Sequence, residues 1–134
     1  MSIDKTQVQQ VGNDPFAYLY SYEFVVLYTF RKDGREVPTT VWFVHENGNI
    51  YVTTSTTAGK MKRVRNNRHV FLAPSDRIGN LLGERVEGQA REVPQGEHGH
   101  LYQLFTAKYP QFVAMVGPDG PRNGDRTYIE ITYV

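Results

Sequence analysis

The chain contains no cysteine. That single absence removes a disulfide framework, a thiolate nucleophile and every Cys-type zinc site. It also fits a reducing compartment. Excess charge is missing too: 15 Lys and Arg stand against 14 Asp and Glu, a formal net charge of +1. A dedicated nucleic-acid binder is usually strongly basic, so nucleic acid is not an expected partner. No apolar run approaches the length that spans a membrane. The first residues, Met1 to Asn13, are polar and lack the apolar segment of a signal peptide. The expectation is a cytoplasmic protein with no membrane partner. At 134 residues it forms one domain, 1–134, with a loosely ordered segment over 1–13. No internal repeat and no low-complexity segment is present.

Catalytic signatures are scarce as well. There is no Gly-x-Ser-x-Gly, no P-loop and no Gly-x-Gly-x-x-Gly. His98 and His100 are spaced i, i+2, which puts them on different sides of a helix, whereas paired ligands need i, i+4. No metal site is expected there, and His45 and His69 read as lone residues beside strands. Asp76, Glu84 and Glu87 are near one another, but nothing marks them as an acid/base pair.

Aromatics, by contrast, are plentiful, with nine Tyr and seven Phe. A short helix is predicted from Phe16 to Tyr20. Tyr22 to Phe30 reads as a strand with Tyr22, Phe24, Val26, Tyr28 and Phe30 on one face and Val25 and Leu27 on the other. A strand apolar on both faces must be covered twice. Lys32–Arg35 and Glu46–Asn49 carry Asp-Gly and Asn-Gly hairpin signals. Between and after them lie strands from Val37 to His45 and from Ile50 to Thr54. A helix from Ala58 to Asn66 follows, with Met61 and Val64 facing the core. His69 to Ser75 is a fourth strand and Asp76 to Gly83 a loop. Glu84 to Val93 is a fifth strand, with Gly88 marking a bend or a close backbone approach. Glu97 to Tyr109 reads as an amphipathic helix, Phe112 to Val116 is ambiguous, and Gly117 to Gly124 is a surface loop. Arg126 to Val134 closes the set. About six antiparallel strands with flanking helices make a mostly β fold, a small barrel with helices at its side.

The most informative stretch runs from Val52 to Arg65. A hydroxyl-rich strand end (Thr53, Thr54, Ser55) enters a small-residue turn at Gly59 and then a basic helix. Lys60 to Arg65 holds four positive charges and no acid. Cations in a first helical turn oppose the helix dipole. An anion at the turn would resolve the conflict, held by free N–H groups, hydroxyls and ammonium groups. The alternative is an ordinary solvated basic face. Trp42, the only tryptophan, lies mid-strand beside Thr39 and Thr40. It is either a packing residue of barrel or interface, or the edge of a site for a flat aromatic cofactor. Pro38 cannot donate to a ladder and so suggests an edge or bulge.

Five runs occur in order: Thr29-Phe30-Arg31-Lys32-Asp33-Gly34, Val41-Trp42-Phe43, Gly59-Lys60-Met61-Lys62-Arg63-Val64-Arg65, Phe71-Leu72-Ala73-Pro74-Ser75-Asp76 and Val86-Glu87-Gly88-Gln89-Ala90-Arg91. The set resembles the pyridoxamine-phosphate-oxidase-like split-barrel superfamily, and within it the short branch using the deazaflavin coenzyme F420. The resemblance implies a split β-barrel homodimer with cofactor sites at the subunit interface. It implies F420 or FMN as cofactor, held by its phosphate at Thr53, Thr54, Ser55, Gly59, Lys60, Met61 and Lys62. The ring would lie along Pro38, Thr39, Thr40, Val41 and Trp42. The sequence departs from the family pattern at Arg68, where proline is common, at Ser75, where cysteine is common, and at Tyr28, where threonine is common.

This resemblance accounts for the missing acid/base residues, because the cofactor carries the hydride chemistry. The function implied is an oxidoreductase moving a hydride to or from a small organic substrate. The surplus of charge at Lys62, Arg63 and Arg65 favours F420, whose oligoglutamate tail brings further anions. The rival is a non-catalytic carrier of flavin or haem on the same barrel. A nucleic-acid binder using the basic helix is a third, lesser reading.

Overall fold

Two tight turns set the first half of the molecule. Gly34 takes φ +92°, and Asn47 and Gly48 take φ +54° and +80° in succession. Consecutive left-handed residues are what a two-residue hairpin turn matched to strand twist requires. These turns join β1 (Phe24–Phe30), β2 (Glu36–Glu46) and β3 (Asn49–Ser55) into a meander. After it come α1 (Gly59–Asn66), β4 (His69–Ser75), β5 (Val86–Glu92), α2 (His98–Lys108), α3 (Phe112–Val116) and β6 (Arg126–Tyr133). A 3-10 turn over Ala17–Leu19 precedes the first strand. The computed structural model describes residues 14–116 and 126–134. The segments 1–13 and Gly117 to Gly124, expected to be loose and to form a surface loop, lie outside the described residues.

The six strands close into an antiparallel barrel in the order β1-β2-β3-β6-β5-β4. Inward positions alternate along each strand and fill one core: Val25 and Leu27, Val41 and Phe43, Ile50 and Val52, Val70 and Leu72, Ile129 and Ile131. Helix α1 caps this core with Met61 and Val64, the two apolar residues its spacing aims inward. Gly88 marks a close approach, since a Cβ there would stand 2.6 Å from the Ile131 side chain. Strand β5 therefore lies against β6 in a way only glycine permits without a shift.

A second apolar cluster lies outside the barrel wall. Leu101 and Phe105 of α2, Tyr109 and Phe112 pack on Val44 and Tyr128. The Tyr109 hydroxyl joins this layer to the strands. It accepts from the Phe43 N–H at 3.0 Å, and its proton lies within reach of the carbonyls of Glu23 at 2.6 Å and Phe43 at 2.8 Å.

The boundaries differ from expectation in two informative places. The first strand begins at Phe24, not Tyr22, because the chain turns through Leu19 to Tyr22 first. The fifth begins at Val86, which frees Arg85 to fold over the outer face. Its guanidinium sits 4.0 Å above the Phe71 ring and 5.1 Å from Tyr28, while pairing with Glu36 at 3.0 Å. The outer residues Val26, Tyr28 and Ala73 are buried within one chain. Part of the second apolar face is thus covered without a partner.

Lys108 makes a stability prediction. Its Nζ is buried without a hydrogen-bond partner and lies 3.5 Å from the centre of the Phe43 ring. Burial pushes its pKa down to about 8. The unfolded chain then binds more protons than the folded one between about pH 8 and the ordinary lysine value of 10.5, so stability rises with pH in that window. Above about pH 10 buried Tyr109 and Tyr128, whose pKa values are raised by desolvation, oppose the rise. Urea denaturation from pH 7.5 to 10 should show the increase in the wild type and a flatter profile in Lys108→Met.

Candidate functional site

The ladder between β2 and β3 runs from Glu46↔Asn49 to Phe43↔Val52 and stops. Below that point β2 continues to Glu36 paired only with β1, and β3 continues through Thr53, Thr54 and Ser55 paired only with β6. The barrel is split there, and a cavity of about 260 Å³ occupies the split. One bank is formed by Thr40, Val41 and Trp42 of β2, and the other by Thr53 of β3 and Lys60 of α1.

Five of the residues singled out from sequence therefore come together. The others are placed differently. Thr54 is buried beside Thr53, and neither Oγ1 has a hydrogen-bond partner. Ser55 caps its own turn, accepting from the Thr57 N–H at 3.2 Å. Gly59 opens α1 behind Ala58, which supplies no side-chain cap. Met61 is fully buried in the barrel core, and Lys62 is exposed on α1. Pro38 and Thr39 lie farther along β2, opposite Tyr28 and Leu27 of β1. Tyr28 itself lies under Arg85.

Sequence reasoning missed Phe24, Arg77 and Arg126, all of which line the cavity. Arg126 reaches it because β6 pairs with β3 and sets Arg126 opposite Ser55. That strand order was not deduced. Arg77 directly follows the Phe71–Asp76 run, so its only signal was to continue that run by one residue.

The electrostatics are those of an anion site. The Lys60 pKa is lowered, first by burial and then by the like charges of Arg126 and Arg63. A bound anion would reverse each of these penalties. The N–H groups of the first turn of α1 have no side-chain cap and stand beside Lys60. Thr53 lines the cavity, and its hydroxyl is buried and partnerless. Buried hydroxyls are ordinarily satisfied, so an orphan on a cavity-lining residue fits a ligand oxygen. This donor set fits a phosphate group.

Two charges assigned to an oligoglutamate tail prove to be engaged elsewhere. Arg65 makes a two-pronged pair with Glu92 at 3.0 Å on each prong. Arg63 donates to the Thr29 hydroxyl at 2.6 Å. Both are pulled toward the barrel because α1 packs across β1 and β5. Among the described residues no group of three or more metal-ligating side chains is gathered. No described helix is long and apolar enough to cross a membrane.

Comparison with known proteins supports the architecture. Residues 17–134 match the family described as pyridoxamine 5'-phosphate oxidase. A search of curated proteins finds no match. Among solved structures, the haem storage protein HutZ of Vibrio cholerae is 11% identical with a TM-score of 0.67, over 85% of this chain and 83% of that one. An F420 reductase is 20% identical with a TM-score of 0.61, over 89% and 92% of the two chains. General stress protein 26 of Bacillus anthracis is 20% identical with a TM-score of 0.66, over 91% and 88%. These likenesses establish the split-barrel fold.

Thr53 offers a direct test of the site. Leaving a hydroxyl unpaired in a buried position costs about 1–3 kcal/mol. Thr53→Val should raise the unfolding free energy of the ligand-free protein by about 1 kcal/mol, while weakening phosphate-ligand binding. Denaturant titration and calorimetric binding, run on the same preparation, would read both signs. Loss of stability together with unchanged affinity would place the hydroxyl outside the site.

Proposed function

Because the chain belongs to the pyridoxamine 5'-phosphate oxidase family, we propose that it is a split-barrel oxidoreductase holding F420 or FMN by the phosphate in the gap between β2 and β3. The observation that carries this reading is the buried, unpartnered Thr53 hydroxyl beside the desolvated Lys60 amine at the uncapped start of α1. Lys60 and Thr53 would bind the phosphate. Trp42 and Thr40 would orient the ring on the opposite bank. Phe24 and Val41 would help to exclude water. When bound, the cofactor supplies the hydride chemistry, to or from a small organic substrate. The protein supplies position and charge.

The rival carrier reading divides into two. A haem carrier needs an axial ligand, and none of the four histidines lines the cavity. His45 stacks on Tyr20, His69 pairs with Glu87, and His98 and His100 bond to the Val93 carbonyl and to Glu46. A flavin carrier would bind as this reading requires but reduce nothing, so turnover with reduced cofactor separates it. The choice between F420 and FMN rests on titration: Arg65 is paired with Glu92, whereas Arg63 bonds only the neutral Thr29 hydroxyl and keeps its charge near Lys60.

Lys60→Ala should weaken cofactor binding about tenfold to a hundredfold, the worth of a charge-assisted hydrogen bond of about 1.5–3 kcal/mol. Arg65→Ala should change it by less than about twofold, because its partner is Glu92 and exposed pairs contribute about 0–1 kcal/mol. Calorimetric titration with FMN and with F420 measures both. Equal losses would mean a diffuse basic patch and no cradle.

A homodimer that completes the cofactor site belongs to the same proposal. Tyr18, Ile78, Leu81 and Leu82 are large exposed apolar side chains, and Ile78 directly follows Arg77, which lines the cavity. Dimer interfaces commonly bury such surface. Light scattering at micromolar concentration should give twice the chain mass, and a monomer that binds cofactor at full affinity would remove the shared-interface site.

A further inference from the structure

The cations around the split are divided between its two banks. Lys60 and Arg126 belong to the β3–β6 bank, where Arg126 stands opposite Ser55 and acts on Lys60. Arg77 belongs to the other bank. It follows Ser75, which is the partner of Phe24, which is in turn the partner of Trp42. A phosphate monoester needs only the first set. Arg77 is therefore a cation on the ring side of the cavity with no assigned work.

Most other arginines of the described residues are engaged, although Arg31 and Arg126, like Arg77, make no side-chain hydrogen bond or ion pair among the described residues. Arg35, Arg65, Arg85 and Arg91 are paired with carboxylates, Arg63 with the Thr29 hydroxyl and Arg68 with the Ala90 carbonyl. Arg77 has no such bond among the described residues. Nor is its loop slack. The Asp76 carboxylate accepts from the N–H groups of Ile78 at 3.0 Å and Asn80 at 2.9 Å, and from the Asn80 amide at 2.9 Å. Gly79 takes φ +92° and presses on β2 so closely that a Cβ would stand 2.9 Å from the Thr40 hydroxyl. The turn is thus fastened to the strand that walls the ring side, with Arg77 held at the mouth of the cavity.

We infer that Arg77 is the substrate-recognising residue of this site, and that the substrate carries a carboxylate. The inference rests on the reading of the split as a cofactor site. With the phosphate on Lys60 and the ring along Thr40 to Trp42, Arg77 faces what approaches the ring. A guanidinium presents a planar fork of donors matched to a carboxylate. Phe24 and Trp42 beside it favour an apolar or aromatic body on that carboxylate.

The test uses the full chain loaded with whichever of FMN and F420 it binds. It is titrated with benzoate and with the neutral isostere benzamide, following the cofactor's visible absorption and the fluorescence of Trp42. In the wild type benzoate should bind about tenfold more tightly than benzamide, the low end for a charge-assisted bond at an exposed arginine. Arg77→Gln should erase that preference with benzamide affinity unchanged, a pattern that a folding defect would not produce. Arg77→Lys should keep part of it, having the charge without the fork. Arg77→Gln should also cost the cofactor much less than Lys60→Ala does. No preference in the wild type, a preference that survives Arg77→Gln, or a cofactor loss equal to that of Lys60→Ala would each overturn the inference. The last would place Arg77 with the phosphate. Failure of the wild type to bind either cofactor removes the cofactor reading and this inference with it; normal cofactor binding with no benzoate preference removes the inference alone.

Discussion

Beyond the Phe43↔Val52 pair, β2 and β3 lose each other as partners, and the residues past that point answer to a different demand. A barrel closes to remove unpaired strand edges. Here the edges are kept open over Thr40–Trp42 on one side and Thr53–Ser55 on the other. An opening of this kind is tolerable only if polar groups there meet water or a ligand. The buried, unpartnered hydroxyls of Thr53 and Thr54 lie just where the ladder ends. The same divergence leaves room for the first turn of α1 to enter the gap with Lys60. Split, hydroxyls and lysine are consequences of one interrupted pairing.

The charge distribution follows the same division. Four positive charges in six residues look like a single patch in sequence, but the helix separates them by direction. Arg63 and Arg65 turn back to Thr29 and Glu92, tying α1 across β1 and β5. Lys60 alone of the four lines the cavity. Positive charge in the first turn of a helix is unfavourable against the dipole. Arg63 and Arg65 lie in the last turn, where the dipole favours them, whereas Lys60 stands in the first turn, its pKa lowered by burial and by the like charges of Arg126 and Arg63. A cation left desolvated beside another cation is a site prepared for an anion.

Most of the fold was legible because local signals governed it. Gly34, Asn47 and Gly48 announced their turns, and the alternation of Val25, Leu27 and Phe43 with outward residues announced the strands. Met61 and Val64 declared the buried face of α1. The phosphate side of the site was legible for a related reason: Thr53, Gly59 and Lys60 are close in sequence. Arg77 and Arg126 were not, because they join the cavity only through pairings with distant strands, Ser75 to Phe24 and Ser55 to Arg126. The fate of Arg63 and Arg65 was hidden for the same cause. Their partners, Thr29 and Glu92, lie 34 and 27 positions away, and no periodicity links them. The second apolar face of β1 misled in a third way, since nothing in a strand pattern reveals that Arg85 will lie over Tyr28 and Phe71.

The ring-side wall owes its rigidity to a residue outside the cavity. Trp42 stacks on Tyr109 with ring centres 4.6 Å apart and planes 13° from parallel. The Tyr109 hydroxyl is in turn bonded to the Phe43 main chain and the Glu23 carbonyl, and its ring packs with Phe105 of α2. The indole is thus backed by a phenol that the backbone of its own neighbour holds in place. A wall fixed before the ligand arrives costs little ordering on binding, and positioning is the protein's main contribution where a cofactor does the chemistry. The helices α2 and α3 bear on the ring-side wall through this aromatic layer and so help to determine where the plane of Trp42 lies. Packing on the outside of the barrel therefore reaches the site through Tyr109 and through Phe112 of α3, whose ring centre lies 6.3 Å from that of Trp42, which makes Tyr109 a positioning residue by geometry although it faces no ligand.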